Sequence, residues 1–176
     1  RDLHPFPTRR ASDLTGPNVL GWGMAAGFGV KLARPDVPVV SVVGDGSFLF
    51  SGPQPLWSMA RYKAPVTVIV LNNHSYNNER NRIWNGAGRQ FDAARDMTCY
   101  NGSPDVDFAK AANAFGVDGE TVKDPSTLSG ALSRAKAATV EGRPYLLDIH
   151  IKREGIGAVS EWYPPYSIAG QRTRKV

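Results

Sequence analysis

The stretch Pro38-Val-Val-Ser-Val-Val-Gly-Asp-Gly-Ser47 decides the fold of this chain. Its valine-rich first half is typical of a strand buried on both faces of a parallel sheet. The runs Val66-Thr-Val-Ile-Val-Leu71 and Tyr145-Leu-Leu-Asp-Ile-His-Ile151 have the same character. We expect these three strands to be parallel neighbours, and a weaker strand is predicted at Val117–Val122.

Helical stretches lie between and around the predicted strands. They are Leu20–Ala33, about Pro55–Tyr62, Asp105–Phe115 and Pro125–Thr139. Asp124 suits an N-cap ahead of a proline at the first helical position, and Asp105 and Asp107 suit the start of the preceding helix. Strands that alternate with helices predict an α/β domain, with a parallel sheet and helices on both of its faces.

Composition and charge exclude several classes of protein. The 176 residues suit one domain, and the single Cys99 excludes a disulfide framework or a zinc cluster. The longest apolar run is far shorter than the roughly 20 residues of a membrane-spanning helix. The net charge is +5, but residues 15–170 contain 15 basic and 14 acidic side chains. A nearly neutral body argues against nucleic-acid binding, and we expect a cytoplasmic protein.

The first fourteen residues have neither helical nor strand periodicity. They lack the apolar core of a signal peptide, and they resemble the peptide encoded when a sequencing adapter is translated in frame. We therefore predict that residues 1–14 are a non-native leader and that residues 15–176 form the domain.

Polar residues follow two of the predicted strands at the points where those strands end. Gly44-Asp45-Gly46-Ser47 follows the first, and Asn72-Asn73 follows the second. Ligands of parallel α/β sheets bind beyond the carboxyl ends of the strands, and one strand–helix–strand return brings both segments to the same edge. Carboxylate, amide and carbonyl oxygens suit Mg²⁺, which in turn bridges to phosphates. The pattern predicts a magnesium and phosphate site.

This ordered pair of segments resembles the signature of enzymes that depend on thiamine diphosphate (ThDP), in particular their diphosphate-binding domain. The resemblance covers about residues 17–151. The glycine-rich segment Leu20–Pro35 is similar to that of acetolactate synthases and benzoylformate decarboxylases, although Met24-Ala-Ala-Gly27 stands where those families usually have Leu-Pro-Ala-Ala. The resemblance implies a thiamine diphosphate-binding fold.

The resemblance also implies roles for individual residues. The side chains of Asp45 and Asn73 and the main-chain carbonyl of Ser75 would bind Mg²⁺. The cofactor-binding residues would be Leu20, Gly21, Gly44, Asp45, Gly46, Ser47, Asn73, Ser75, Tyr76 and Asn77. Among them, Leu20 matches the bulky apolar residue that holds the cofactor in its bent conformation, in which it deprotonates itself. The bound cofactor then attacks a 2-oxo acid and accepts electrons as CO₂ leaves.

Glu79 is a candidate catalytic residue. It stands six residues after Asn73, and Asn-Asn-His-Ser-Tyr-Asn-Asn-Glu is similar to the arrangement in pyruvate and indolepyruvate decarboxylases, where the glutamate assists decarboxylation and proton transfer. A carboxyl group near a desolvated cofactor can act as an acid. The alternative is a solvated glutamate at a helix end, paired with Arg80 or Arg82.

The resemblance further implies an incomplete active site. The family's activating glutamate belongs to a separate pyrimidine-binding domain, which is a required partner and for which this chain has no counterpart. We predict that the chain alone is inactive towards a 2-oxo acid, and that the complete enzyme is a homo-oligomer because the family's active sites form between chains. Decarboxylation and carboligation both remain open.

Three other functions are compatible with parts of the sequence. The chain resembles the separate small subunit of a sulfopyruvate-type decarboxylase as well as a domain of a longer enzyme. A binding or regulatory module with the same fold is a further possibility. A NAD-binding Rossmann domain is suggested by Gly21, Gly23 and Gly27, with Asp45 further on, but residues 14–18 do not read as the strand that such a fingerprint requires.

A long polar region, Asn77–Pro104, is predicted to be irregular. It contains Trp84, Arg82 and Arg89, which have the chemistry to cover a carboxylate substrate. Long loops inside compact domains are usually functional or disordered, and the aromatic residues favour a function here.

Overall fold

A computed structural model describes residues 19–80 and 99–153. Its centre is a four-stranded parallel sheet with the strand order β1-β2-β4-β3. The strands are β1 (Val39–Gly44), β2 (Val66–Asn72), β3 (Asp118–Val122) and β4 (Tyr145–His150). β1, β2 and β4 lie where the three apolar runs predict strands and are parallel neighbours as expected, and β3 lies at the predicted weaker strand.

Five helices and one short 3₁₀ helix accompany the described part of the sheet. The α-helices are α1 (Trp22–Ala33), α2 (Asp45–Ser51), α3 (Gln54–Arg61), α4 (Phe108–Ala114) and α5 (Leu128–Val140), and the 3₁₀ helix is Pro125–Thr127. Asp107 caps α4 by accepting a hydrogen bond from the Lys110 N–H, and Asp124 caps the 3₁₀ helix by accepting one from the Ser126 N–H. Both caps follow the sequence prediction, because a short carboxylate at these positions satisfies helix N–H groups that otherwise have no partner.

The helices cover the sheet in two layers. On one face, Met24 of α1, Leu56 of α3 and Phe108 of α4 belong to one core together with alternate residues of β2, among them Val68. On the other face, alanines of α5 pack against Leu147 of β4 and its neighbours. Because successive strand side chains point to opposite faces, the continuous apolar runs supply both cores, and the prediction of helices on both faces is confirmed.

The first strand departs from its prediction of burial on both faces. Val40 is 47% and Val42 is 55% exposed, whereas Ser41 and Val43, which alternate with them along the strand, are buried. The reason is the position of β1 at the edge of the described sheet: α1 packs on one of its faces, while α5 packs mainly on β4, β2 and β3. An apolar run therefore predicts a strand, but it does not show whether helices cover both faces of that strand.

The local structure departs from the sequence predictions at two further places. No helix is predicted for the segment that starts at Asp45, and the structure has the first turn of α2 there. The predicted irregular region Asn77–Pro104 begins with a helical turn at residues 77–80, closed by a hydrogen bond of 2.9 Å from the Arg80 N–H to the Tyr76 carbonyl. The residues predicted to cover a substrate (Arg82, Trp84 and Arg89) lie outside the described residues, as does the predicted leader 1–14.

Candidate functional site

The carboxyl ends of β1 and β2 place the predicted site residues side by side. The two strands pair in parallel with Gly44 opposite Leu71, so Asp45 and the Asn72-Asn73 pair leave the sheet at the same edge. Asp45 becomes the first residue of α2. Its carboxylate accepts a hydrogen bond of 3.0 Å from the Ser75 N–H. The structure thus brings together two segments that are about 30 residues apart in the chain.

A tight turn after β2 holds the second half of the site. The Ser75 N–H also donates to the side-chain oxygen of Asn73, at 3.0 Å, and His74 adopts a left-handed conformation with φ of 54°. Asparagine side chains commonly satisfy backbone N–H groups two residues ahead in this way. The turn is also tied to a later segment, because the Tyr76 N–H donates to the Cys99 carbonyl and the Asn101 N–H donates to the His74 carbonyl.

The electrostatic surroundings of Asp45 suit a cation. Its side chain is almost completely buried, at 2% exposure. Burial raises the pKa of this carboxyl above its usual range, against the opposing hydrogen bonds from the Gly46 N–H, the Asn101 side chain and the Ser75 N–H. Among the described residues no Lys or Arg forms an ion pair with it within 4.0 Å. A buried carboxylate in this state is stabilised by a divalent ion with oxygen ligands.

A cavity of about 330 Å³ opens beside Asp45. Its lining residues are Leu20, Gly44, Asp45, Gly46, Ser47, Leu71, Asn73, Ser75, Tyr76, Asn78, Glu79 and Ile151. Nine of the predicted site residues are in this set. Leu71, Asn78 and Ile151 were not predicted. For Leu71 and Ile151 the reason is that a leucine or isoleucine near the end of a strand carries no chemical signal in a sequence.

Two predicted residues lie beside the cavity without lining it. The Gly21 N–H donates to Ser47 Oγ at 2.8 Å, which ties the start of α1 to α2. Gly21 has φ of 89°, and a Cβ there would lie 2.8 Å from the Cβ of Ser51, so only glycine fits. Asn77 is half-buried in the helical turn that follows Tyr76.

Gly46 is required by the close approach of Tyr76. A Cβ on Gly46 would collide with the ring of Tyr76, so the ring lies directly against the first turn of α2. Both residues line the cavity. Gly46 is therefore needed for packing against Tyr76, in addition to the close approach of a ligand that the sequence suggested.

The hydroxyl group of Ser75 is buried at this site and unsatisfied, since within the described residues its Oγ has no hydrogen-bond partner. Buried hydroxyl groups are nearly always hydrogen-bonded, and this one belongs to a cavity-lining residue. The hydroxyl, the buried carboxylate of Asp45 and the amide oxygen of Asn73 together form an oxygen-rich set that fits a hydrated divalent cation and a phosphate.

Glu79 lies at the rim of the cavity. It is exposed, in the helical turn of residues 77–80, and it is one of the residues that line the cavity. This position is compatible with both interpretations of the residue, as a proton donor to a bound substrate and as a solvated glutamate at a helix end.

Sequence reasoning missed polar residues behind and beside the site. Asn101 places its side-chain nitrogen 3.5 Å from the Asp45 carboxylate, and no motif marks it. Asp148 in β4 hydrogen-bonds Asn72 behind the turn. An acidic residue in an apolar strand is unusual and could have drawn attention to Asp148, but its partner Asn72 is 76 residues away in sequence and could not be predicted.

Histidines form a separate contact next to the turn. The rings of His74 and His150 meet edge to face with centroids 5.0 Å apart, and His74 Nδ1 is 3.1 Å from a carboxylate oxygen of Asp105. Within residues 19–80 and 99–153, however, no group of three or more His, Cys, Asp or Glu side chains is arranged to hold a metal ion. The predicted magnesium ligands are of a different kind, since they include one amide and one main-chain carbonyl.

No helix in the described part of the chain is long and apolar enough to cross a membrane.

The chain belongs to a family of cofactor-binding domains. Residues 3–149 match the family model for thiamine pyrophosphate enzymes, C-terminal TPP binding domain; thiamine pyrophosphate is ThDP. The resemblance seen in the glycine, aspartate and asparagine motifs is thereby confirmed, and the family match disfavours the NAD-binding alternative.

Particular relatives are synthases and decarboxylases. The chain is 36% identical over 146 residues to the acetolactate synthase large subunit of Parasynechococcus marenigrum, covering 78% of this chain and 21% of that protein. It is 34% identical over 132 residues to the benzoylformate decarboxylase of Pseudomonas aeruginosa, covering 74% and 22%. The chain therefore spans about a fifth of the length of these relatives.

A solved structure has the same fold. It is the thiamine diphosphate-dependent 4-hydroxybenzoylformate decarboxylase of Rhodococcus jostii, with a TM-score of 0.63 and 32% sequence identity. The match covers 76% of this chain and 23% of that one. The thiamine diphosphate-binding α/β fold expected from the sequence is confirmed.

Proposed function

We propose that this chain supplies the Mg²⁺- and diphosphate-binding half of the active site of a ThDP-dependent enzyme that decarboxylates a 2-oxo acid or joins it to a second carbonyl compound. The observation that carries the proposal is the buried carboxylate of Asp45, which accepts a hydrogen bond from the Ser75 N–H and lines a cavity of about 330 Å³ together with Asn73 and Ser75. The synthases and decarboxylases among its relatives support the choice of reaction class.

The cation would be held by three oxygen ligands from the two strand ends. These are the Asp45 carboxylate, the Asn73 side-chain oxygen and the Ser75 main-chain carbonyl. The fit rests on hard oxygen donors around a buried negative charge, which is the chemistry that Mg²⁺ prefers. A bound Mg²⁺ would compensate the burial of Asp45, and the unsatisfied Ser75 Oγ would gain a partner in the cation's water shell or in the diphosphate.

The remaining predicted residues would bind and orient the cofactor. Gly46, Ser47, Tyr76 and Asn77 would contact the diphosphate, and Gly44 leaves room beside Asp45. Leu20, which also lines the cavity, would support the apolar part of the cofactor. When bound, ThDP supplies a nucleophilic carbon and an electron sink, while the chain contributes position and charge.

Glu79 is proposed to hold the proton that the product carbon receives. Its place at the cavity rim supports this role, and its exposure supports the alternative of a solvated side chain. The two are separated in the complete enzyme by Glu79→Gln. A catalytic acid would give a lower kcat and a changed pH profile, whereas a solvated residue would leave both unchanged.

The active site is proposed to be completed by a pyrimidine-binding domain, on the same enzyme or on a partner chain, in a cytoplasmic homo-oligomer. The chain spans about a fifth of its relatives, which supports the need for further parts. The isolated chain is then expected to bind cofactor without turning over a 2-oxo acid. Turnover by the purified chain alone would contradict this part of the proposal.

Calorimetric titration of the 176-residue chain with ThDP tests the proposed site. Binding is expected with Mg²⁺ present, and it should be lost when the metal is chelated and in Asp45→Asn, which keeps the size of the side chain. Asp36→Asn is the matched control, because Asp36 is an exposed acid paired with Arg34.

Two results of this titration would refute the proposal. ThDP binding that survives chelation or Asp45→Asn would refute the metal site. Binding of a nicotinamide dinucleotide in the absence of Mg²⁺, with no binding of ThDP, would refute the proposed cofactor.

A further inference from the structure

A buried acid lies behind the turn that carries the proposed metal ligands, and the function proposed above gives it no role. Asp148 in β4 is 1% exposed, and so is its partner Asn72 at the end of β2. The Asn72 side-chain nitrogen donates a hydrogen bond of 3.0 Å to the Asp148 carboxylate. Burying a charged group is costly unless it is hydrogen-bonded, so this contact has to be explained.

The opposite end of the Asn72 side chain contacts the turn. Its oxygen accepts a hydrogen bond of 3.1 Å from the His74 N–H, at a residue whose φ of 54° is unusual for a non-glycine side chain. The next N–H, that of Ser75, donates to both Asp45 and Asn73. Hydrogen bonds thus connect Asp148 through Asn72 to the backbone of His74, and the next residue along that backbone, Ser75, is hydrogen-bonded to the two side chains proposed to bind Mg²⁺.

We propose that Asp148 and Asn72 are positioning residues, which set the backbone of the turn at residues 73–75 so that the Asn73 side chain and the Ser75 carbonyl present their oxygens to the cation. This inference rests on the proposed cofactor site. It assigns to Asp148 a contribution to metal affinity that does not require contact with the metal or the cofactor.

The reason why an acid is needed lies in the symmetry of the asparagine amide. The Asn72 side chain fits its space in two orientations, with nitrogen and oxygen exchanged. A carboxylate only accepts hydrogen bonds, so Asp148 selects the orientation in which the amide nitrogen faces β4. The amide oxygen is then directed at the His74 N–H, which fixes the left-handed residue.

The other groups around Asp148 do not replace this contact. His150 Nε2 is 3.6 Å from the second carboxylate oxygen, which is longer than a hydrogen bond. Burial raises the pKa of Asp148, and the hydrogen bond from Asn72 opposes this effect. The amide of Asn72 is therefore the principal described partner of the acid, and the acid orients the amide.

Hydrogen exchange of backbone amides tests the proposal without any cofactor. In the full chain, Asp148→Leu removes the acceptor, and we expect the His74 and Ser75 amides to exchange at least about 10-fold faster, the effect of losing one charge-assisted hydrogen bond. Asp148→Asn retains an acceptor oxygen, so its effect should be smaller. If Asp148→Leu does not fold, Asp148→Ser, which is too short to reach Asn72, takes its place.

Leu147→Ala is the matched control for general loss of stability. Leu147 is the fully buried neighbour of Asp148, and it packs on the opposite face of the sheet, in the core formed with α5. In this variant we expect exchange to rise throughout β4 and not selectively at His74 and Ser75. An Asp148 variant that shows the same uniform pattern, or no change at the turn, would overturn the proposal.

A second readout links the turn to the metal. In ThDP titrations, the Mg²⁺ concentration for half-saturation should rise roughly 10- to 100-fold in Asp148→Leu, as for other residues behind a metal ligand, and should stay near that of the wild type in Leu147→Ala. Absence of Mg²⁺-dependent binding in the wild-type chain would refute the proposed function, while the exchange data would still decide whether Asp148 sets the turn. An unchanged Mg²⁺ requirement in Asp148→Leu would refute the link to the metal.

Discussion

The packing of α1 on β1 provides a sharp test of how the fold positions the site. Gly27 is buried where the helix crosses the strand, and a Cβ there would lie 3.0 Å from the Cβ and 3.3 Å from the Oγ of Ser41. Gly29 is in the same helix, and a Cβ there would meet nothing within 4 Å. The same substitution at the two positions therefore differs in packing and not in helix propensity.

The expected size of the effect follows from these contacts. Gly→Val gains a few tenths of a kcal/mol in helix propensity at either position. At Gly27 the added methyl groups would enter the space of Ser41 and approach Val66, and overpacking of this kind costs about 1–3 kcal/mol. We expect Gly29→Val to be as stable as the wild type, and Gly27→Val to melt roughly 3–10 °C lower.

Overpacking at Gly27 should displace α1, and we expect this displacement to affect the proposed cofactor site as well. The helix α1 begins next to Gly21, which hydrogen-bonds Ser47, and Leu20 lines the cavity. Thermal unfolding followed by circular dichroism and ThDP titration would be measured on both variants, and we expect weaker ThDP binding only in Gly27→Val. Equal melting temperatures for the two variants would refute the reasoning that the helix–strand contact has no room for a side chain.

Three further predictions concern single side chains. Asp107→Ala removes the cap of α4 and should cost about 1 kcal/mol of unfolding free energy in denaturant titrations, and an unchanged midpoint would contradict this. Ser75→Ala should leave the melting temperature of the cofactor-free chain unchanged or raise it, because the hydroxyl has no partner among the described residues; a lower melting temperature would show a missing contact. The hydrogen bond from Arg134 lowers the pKa of Glu120 below 4.5, so this pair stabilises the fold above about pH 4.5 and less as the pH falls below it. Unfolding measured against pH should lose part of this acid dependence in Glu120→Gln, and identical profiles would exclude the pair as its source.

The sequence by itself determined the strands, their parallel arrangement and the edge of the sheet at which the candidate site lies. Continuous runs of Val, Ile and Leu are typical of strands inside a parallel sheet that helices cover. Asp107 and Asp124 mark the starts of helices because their side chains accept local hydrogen bonds. Asp45 and Asn73 were recognisable because a strand end leads directly to the ligand edge of a parallel sheet. These patterns are local in the chain, so they can be interpreted without knowledge of the tertiary contacts.

Only the tertiary structure decided which groups meet across the sheet. The exposure of Val42 follows from the place of β1 in the strand order, which the apolar pattern of the strand does not contain. Likewise, the contact of Asn72 with Asp148 joins residues 76 positions apart, and Asn101 reaches Asp45 from a segment with no motif. Hydrogen bonds and burial depend on distance in space, and a sequence shows only distance along the chain.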